Sequence, residues 1–169
     1  AIAKTLEKLG SNKKIYLFDT FAGMTEPQKY DKKLESGKSA IETYNSSKTD
    51  FGSSWCYGSL EDVKKLFFEY GLEDNIIFVK GDVCETLKKS SNLPKSISLL
   101  RLDTDWYKST MTELNILYPK LSKNGVLLLD DYGSWDGARM AVDEYFSKNL
   151  NHNPLFWVND KGRGLIKNI

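Results

Sequence analysis

Four aspartates offer the first chemistry in this sequence. Asp103 and Asp105 stand in Leu102-Asp103-Thr104-Asp105, and Asp130 and Asp131 in Leu129-Asp130-Asp131-Tyr132, each group at the end of an apolar run. Carboxylates are hard oxygen donors, and gathering them without as many Lys or Arg is costly unless a cation sits among them. The pattern predicts a hard-metal site. Asp19 closes a third run, Lys14-Ile15-Tyr16-Leu17-Phe18. In nucleotide-binding α/β folds an acid placed there accepts the hydroxyls of a ribose. A turn or helix-cap aspartate is an equally ordinary occupant of a strand end, so both roles stand open.

These acids can meet only if their strands are neighbours. The runs Ile97–Leu102 and Val126–Leu129 are bounded by polar turns, as suits strands buried on both faces of a parallel sheet. About twenty residues separate them, room for one crossover helix. Ligand sites in such sheets collect at the carboxyl ends of the strands, where the four acids would share a crevice.

The remaining elements follow in order. Ile2, Leu6 and Leu9 have helical spacing, with Gly10 as a stop. From Thr25 to Gly58 periodicity dissolves into polar residues with scattered aromatics, which in a compact domain marks a functional lid or a disordered insert. Ser59 is an N-cap for a helix to Tyr70, with Val63, Leu66, Phe67 and Tyr70 as its buried stripe. Ile76–Val79 is a strand leading to Gly81-Asp82, and a helical turn covers Val83–Leu87. A helix spans Ser109–Leu121, tolerating Pro119 only near its end, and Asn124-Gly125 turns into the Val126 strand. Asp136–Leu150 is a last helix with Ala138, Ala141, Val142, Tyr145 and Phe146 inward. Leu155–Val158 and Gly164–Ile169 form a closing hairpin. The order implies one α/β domain over residues 1–169, with an open, mostly parallel sheet and an antiparallel edge.

Composition narrows the function. At 169 residues the chain can bury a proper core, and 40% hydrophobic with 28% charged residues is ordinary for a globular domain. A formal net charge of +1 provides no field to recruit nucleic acid or an anionic membrane. No apolar run approaches the ~20 residues that span a bilayer, and no signal peptide opens the chain. Cys56 and Cys84 are too isolated for a disulfide framework and read as free thiols of a cytoplasmic protein.

Several stretches together resemble a known family. Phe18-Asp19-Thr20-Phe21-Ala22-Gly23-Met24, Leu102-Asp103-Thr104-Asp105-Trp106-Tyr107-Lys108-Ser109-Thr110, Leu117-Tyr118-Pro119-Lys120-Leu121 and Asp130-Asp131-Tyr132-Gly133 are similar to the TylF/MycF, or macrocin-type, O-methyltransferases. Gly137 to Asp143 resembles that family's last helix. The resemblance runs nearly the whole length in the right order. It implies a Rossmann-like class I methyltransferase fold, S-adenosylmethionine as methyl donor, a divalent ion such as Mg²⁺, and a sugar-bearing small-molecule acceptor. It places Asp19, with Thr20 and Phe21, at the adenosine, Asp82 near the adenine and Asp103 beside the cofactor. Asp103, Asp130 and Asp131 match its metal ligands. The 25–58 segment is expected to form the acceptor lid, with Trp55 and Tyr57 among the residues facing the substrate, since aromatic faces suit the apolar faces of sugars; a surface loop whose aromatics pack on the domain is the alternative. A homo-oligomer is compatible with all of this. In one respect the chain departs from the family: the first strand and glycine-rich loop precede anything in this sequence, so the N-terminal part is expected to be missing.

Two other readings compete. Asp103-Thr104-Asp105 after an apolar strand mimics the nucleophile motif of haloacid-dehalogenase-like phosphotransferases, although there the motif sits on the first strand. A non-catalytic nucleotide-fold binding module is the second. For the proton acceptor, His152, the only histidine, is the usual suspect near neutral pH. Its loop leads to an edge strand away from the acids, so Asp103 is the expected base and Asp105 the reserve.

Overall fold

The computed structural model describes residues 1–148 and 153–168. Its helices are α1 (Ile2–Lys8), α2 (Ala40–Ser46), α3 (Leu60–Glu69), α4 (Val83–Thr86), α5 (Tyr107–Leu117) and α6 (Asp136–Lys148). Its strands are β1 (Ile15–Asp19), β2 (Lys48–Thr49), β3 (Gly52–Ser53), β4 (Ile76–Lys80), β5 (Ile97–Leu102), β6 (Leu121–Leu129), β7 (Phe156–Trp157) and β8 (Arg163–Ile166). No described helix is long and apolar enough to cross a membrane.

The main strands form two half-sheets. β1 runs parallel to β4, with Leu17 opposite Phe78. The larger half has the order β5-β6-β8-β7, parallel between β5 and β6 and antiparallel from there on. Bonds at matching ends tie the halves together. Lys13 Nζ donates to Ser98 Oγ before the strands, and the Trp106 indole N–H donates to the Thr25 carbonyl after them. β1 and β5 therefore run the same way, and their carboxyl ends open on one side.

The core lies between the larger half-sheet and the helices α4, α5 and α6. Leu100 and Leu102 of β5 and Leu127 and Leu129 of β6 meet Leu114, Leu117, Val142 and Phe146. Alternate residues of each strand thus face the helices, as the two-residue strand period requires. Truncating Leu127, which is fully buried, to alanine is expected to cost ~2–5 kcal/mol in a denaturant melt, the usual range for a buried Leu; loss below ~1 kcal/mol would show that the site collapses to fill the void.

Several boundaries differ from the sequence reading. α5 begins at Tyr107 and stops at Leu117, and Pro119 sits in a 3-10 turn over Tyr118–Lys120. The strand before Asp130 begins at Leu121, running through Asn124-Gly125 with Asn124 at φ 61°, so the expected turn is an irregularity inside β6. On α3 the stripe is only half buried: Leu66 is 53% and Tyr70 61% exposed, while Phe67 packs edge-on against Phe78. The second strand of the closing hairpin, β8, ends at Ile166, although Lys167 still exchanges backbone hydrogen bonds with Asn124 and Gly125 of β6. The 25–58 segment contains α2 and the β2–β3 hairpin. Its hairpin is stitched to the loop after β1 by Ser53 N–H to Ala22 O and Met24 N–H to Trp55 O, and the fit is tight at Gly23. With φ at 80° and a Cβ that would overlap the Ser53 carbonyl, Gly23→Ala is expected to cost more than ~2 kcal/mol; an unchanged thermal midpoint would contradict this packing.

Candidate active site

The acids gather at the carboxyl ends of β5 and β6. Leu102 and Leu129 are register partners, and the Asp130 N–H donates to the Leu102 carbonyl, so Asp103 and Asp130 leave the sheet side by side. Asp103, Asp130 and Asp131 each offer a carboxylate oxygen, all within 4.8 Å of one another. One cation of the protein is already among them. Arg101 shares a strand face with Asp103, and its guanidinium reaches Asp103 Oδ2 at 2.8 Å and Asp130 Oδ1 at 3.0 Å. Asp131 Oδ2 is buried with no hydrogen-bond partner among the described residues.

Asp105 lies deeper. It takes φ 62°, which turns the chain sharply before α5, and the Trp135 indole and Asp131 are within hydrogen-bonding reach of its carboxyl. Burial, then the Asp131 and Asp103 charges, push its pKa up to about 8. Burial, then the Asp103 and Asp130 charges, raise Asp131 to about 6. Asp103 is also raised, chiefly by burial, with Arg101 opposing. Behind the loop, Glu113 of α5 is buried and accepts the Thr104 hydroxyl at 2.8 Å, and burial lifts it to about 8.

The residues expected at the cofactor are placed as follows. Asp19 is exposed at the end of β1, and its Oδ1 accepts the Phe21 N–H at 2.6 Å. Thr20 Oγ1 accepts the Ala22 N–H and donates to the Gly23 carbonyl, so it shapes the turn. The Phe21 ring is buried against Phe78, with φ 50°. Asp82 caps α4 through the Cys84 N–H and lines a cleft of about 350 Å³ with Thr25–Gln28, Trp106 and Ser109. Trp55 packs against Trp106 and Trp135, and Tyr57 is exposed against Phe51 with ring centres 4.7 Å apart. His152 lies outside the described residues.

Sequence reasoning missed Arg101, Glu113, Asp31 and Trp135. Glu113 had a signal, since it shares the helical face of Leu114 and Leu117 and an acid on an apolar face asks for a reason. Arg101 had one too, being the single basic residue in the β5 run. Asp31 had none, because the segment around it has no period.

The model of the macrocin O-methyltransferase family, TylF, matches residues 2–163. A demethyldecarbamoylnovobiocin O-methyltransferase of Streptomyces niveus is 36% identical over 91 residues, which are 53% of this chain and 34% of that protein. The mycinamicin III 3''-O-methyltransferase of Micromonospora griseorubida is 36% identical over 88 residues, 52% of this chain and 34% of its own. The matched stretches thus span about a third of these relatives' length. The structure of the O-methyltransferase NovP superposes with a TM-score of 0.80 at 26% identity, covering 99% of this chain and 66% of that one. CalS11, a calicheamicin methyltransferase, shares the fold at 20% identity with a TM-score of 0.66, over 98% of this chain and 65% of its own. The fold is thus the α/β fold of these methyltransferases, and with a family match along nearly its whole length the chain belongs to the TylF macrocin O-methyltransferase family.

Proposed function

We propose that the protein transfers a methyl group from S-adenosylmethionine to a hydroxyl of a sugar-bearing natural product, with a divalent cation held at Asp103, Asp130 and Asp131. The observation that carries the reading is the convergence of three carboxylates at two adjacent parallel strand ends, with Asp131 Oδ2 buried and unpartnered. Such a donor set suits a hard cation like Mg²⁺, and a buried carboxylate oxygen without a partner is costly as it stands. When bound, the ion would lower the pKa of a hydroxyl that it holds.

The chain's own residues supply the rest. The acceptor hydroxyl gives its proton to a carboxylate as its oxygen attacks the sulfonium methyl; the C–O bond forms, the C–S bond breaks and S-adenosylhomocysteine leaves. Sequence reasoning put that proton on Asp103. Geometry favours Asp105, since Asp103 is engaged by Arg101 and belongs to the three-carboxylate group, whereas Asp105 lies outside that group, beside Asp131 and the Trp135 indole. Asp19 would receive the donor's ribose, and the cleft beside Asp82 lies on the same side of the sheet. β1 and β5 each pair along one edge among the described residues, and a parallel strand between them would pair with both. The first strand and glycine-rich loop implied by the resemblance fit there. The segment 25–58 is the acceptor side, where the exposed Phe51–Tyr57 pair offers aromatic faces for the apolar faces of sugars.

The test is methyl transfer from S-adenosylmethionine to a panel of glycosylated natural products, with and without EDTA. A methylated sugar formed only with a divalent ion is expected. Full activity in EDTA would remove the metal, and release of phosphate from sugar phosphates would favour the phosphotransferase. Asp19→Ala is expected to weaken donor binding by ~1.5–3 kcal/mol, the range for losing a hydrogen bond to a charged group, and calorimetry on the protein with its donor would show it.

A further inference from the structure

Asp31 is closed off from solvent away from the acid crevice: it is 0% exposed and has no Lys or Arg partner among the described residues. An acid is buried at this depth only when something specific satisfies it. Here backbone does so, from elements far apart in sequence. Oδ2 accepts the Gln28 N–H at 2.6 Å, and Oδ1 accepts the Tyr107 N–H at 3.0 Å, across 76 residues. Tyr107 is the first residue of α5, whose N-cap, Trp106, provides no side-chain cap of its own. A carboxylate at that place satisfies an orphan amide and lies at the positive end of the helix.

The same carboxylate also lies against the first turn of α6. A Cβ on Gly137 would overlap Asp31 Oδ1, so only glycine lets α6 approach so closely. Backbone bonds run alongside: Asp136 N–H to Lys32 O at 2.9 Å, Leu34 N–H to Ser134 O at 3.0 Å, and Ala40 N–H to Asp31 O at 3.1 Å. α5 follows directly after Asp103–Asp105, and α6 follows after Asp130–Asp131.

We infer that Asp31 is a positioning residue: its buried carboxylate fastens the 25–58 segment to the starts of α5 and α6 and thereby sets the spacing of the two acid-bearing loops. The acceptor side and the acid crevice then move as one body. Burial is the larger influence and holds the Asp31 pKa above its ordinary value, with the Gln28 and Tyr107 amides opposing it. The link to turnover rests on the function proposed above; the mechanical link does not.

Hydrogen exchange on Asp31→Asn separates the two. Asparagine keeps the size but turns a donor toward one of the two N–H groups. Protection is expected to fall about tenfold or more at Gln28 and Tyr107, as for the loss of a hydrogen bond to a charged group, and to fall in 103–107 and 131–137 together, with β6 unchanged. The control is Val142→Ala, which empties buried volume on α6 away from Asp31; denaturant is added to Asp31→Asn until the two match in stability. The control should not reproduce that pattern. Loss confined to 25–40, or the same pattern in both variants, would overturn the proposal. Kinetics give the second arm. If the parent transfers methyl groups, Asp31→Asn should raise the acceptor KM and lower kcat more than the control does. If the parent transfers none, the proposed function fails while the exchange pattern still decides the role of Asp31.

Discussion

Asp105→Asn is expected to lower kcat by about 10²- to 10⁴-fold, the loss that follows removal of a positioned proton acceptor. Asparagine keeps the shape and can still accept from the Trp135 indole, so the loop should hold its conformation. The decisive comparison is Asp103→Asn. Asp103 belongs to the three-carboxylate group, so its variant should lose activity through weaker metal binding and recover part of it as Mg²⁺ is raised. Asp105 does not, so its variant should stay slow at any Mg²⁺ concentration. Steady-state rates over an Mg²⁺ titration, at saturating donor and acceptor, distinguish the two. Recovery of Asp105→Asn at high Mg²⁺, with Asp103→Asn unresponsive, would exchange their roles and restore Asp103 as base.

The acid crevice was legible in the sequence because of where acids stop strands. A run such as Ser98-Leu99-Leu100-Arg101-Leu102 can end in Asp103 only where the sheet ends, and two such endings joined by one helix must be neighbours. The direction of the acids and the order of β5 and β6 followed from that alone. What each acid does was harder to read, because it depends on contacts across the chain. Asp103 and Asp105 differ by two positions and by little in local sequence. Arg101 engages the one, and burial beside Asp131 and Trp135 sets the other apart. The 25–58 segment was legible least. Its order comes from Asp31, from Gly23 against Ser53, and from Trp55 against Trp106 and Trp135, contacts with no sequence period. Half-buried α3 shows the opposite failure: its pattern is regular, but Phe67 meets Phe78 while Leu66 and Tyr70 stay exposed.

Stability of the metal-free protein is expected to fall as pH rises from about 5 to about 8.5, the reverse of the behaviour of a protein rich in salt-bridged carboxylates. The sign follows from three groups. Glu113 and Asp105 have pKa values pushed up to about 8 and Asp131 to about 6, all above their ordinary values of 4.5, 3.8 and 3.8. Below those ordinary values both folded and unfolded chains are protonated, and the acids contribute no pH dependence. Between the ordinary and the raised values the folded chain binds more protons than the unfolded one. Raising pH through that window therefore favours unfolding, and above about 8 the full penalty is present. Glu113 is the group to change, since it is buried, meets Thr104 by a single hydrogen bond and is not one of the three grouped carboxylates. Glu113→Gln keeps an acceptor for the Thr104 hydroxyl and removes the ionisation. Its stability should match the parent near pH 5 and exceed it by ~2–4 kcal/mol near pH 8.5, a shift of a few pKa units at 1.36 kcal/mol each with some relief by relaxation. Urea melts at the two pH values measure this directly. Equal pH slopes in parent and variant would mean that Glu113 ionises in the folded chain as freely as in water. Mg²⁺ added near pH 8.5 should restore stability to the parent by offsetting the Asp131 and Asp103 charges, and should still do so in Glu113→Gln, because the carboxylates that would hold the ion are untouched.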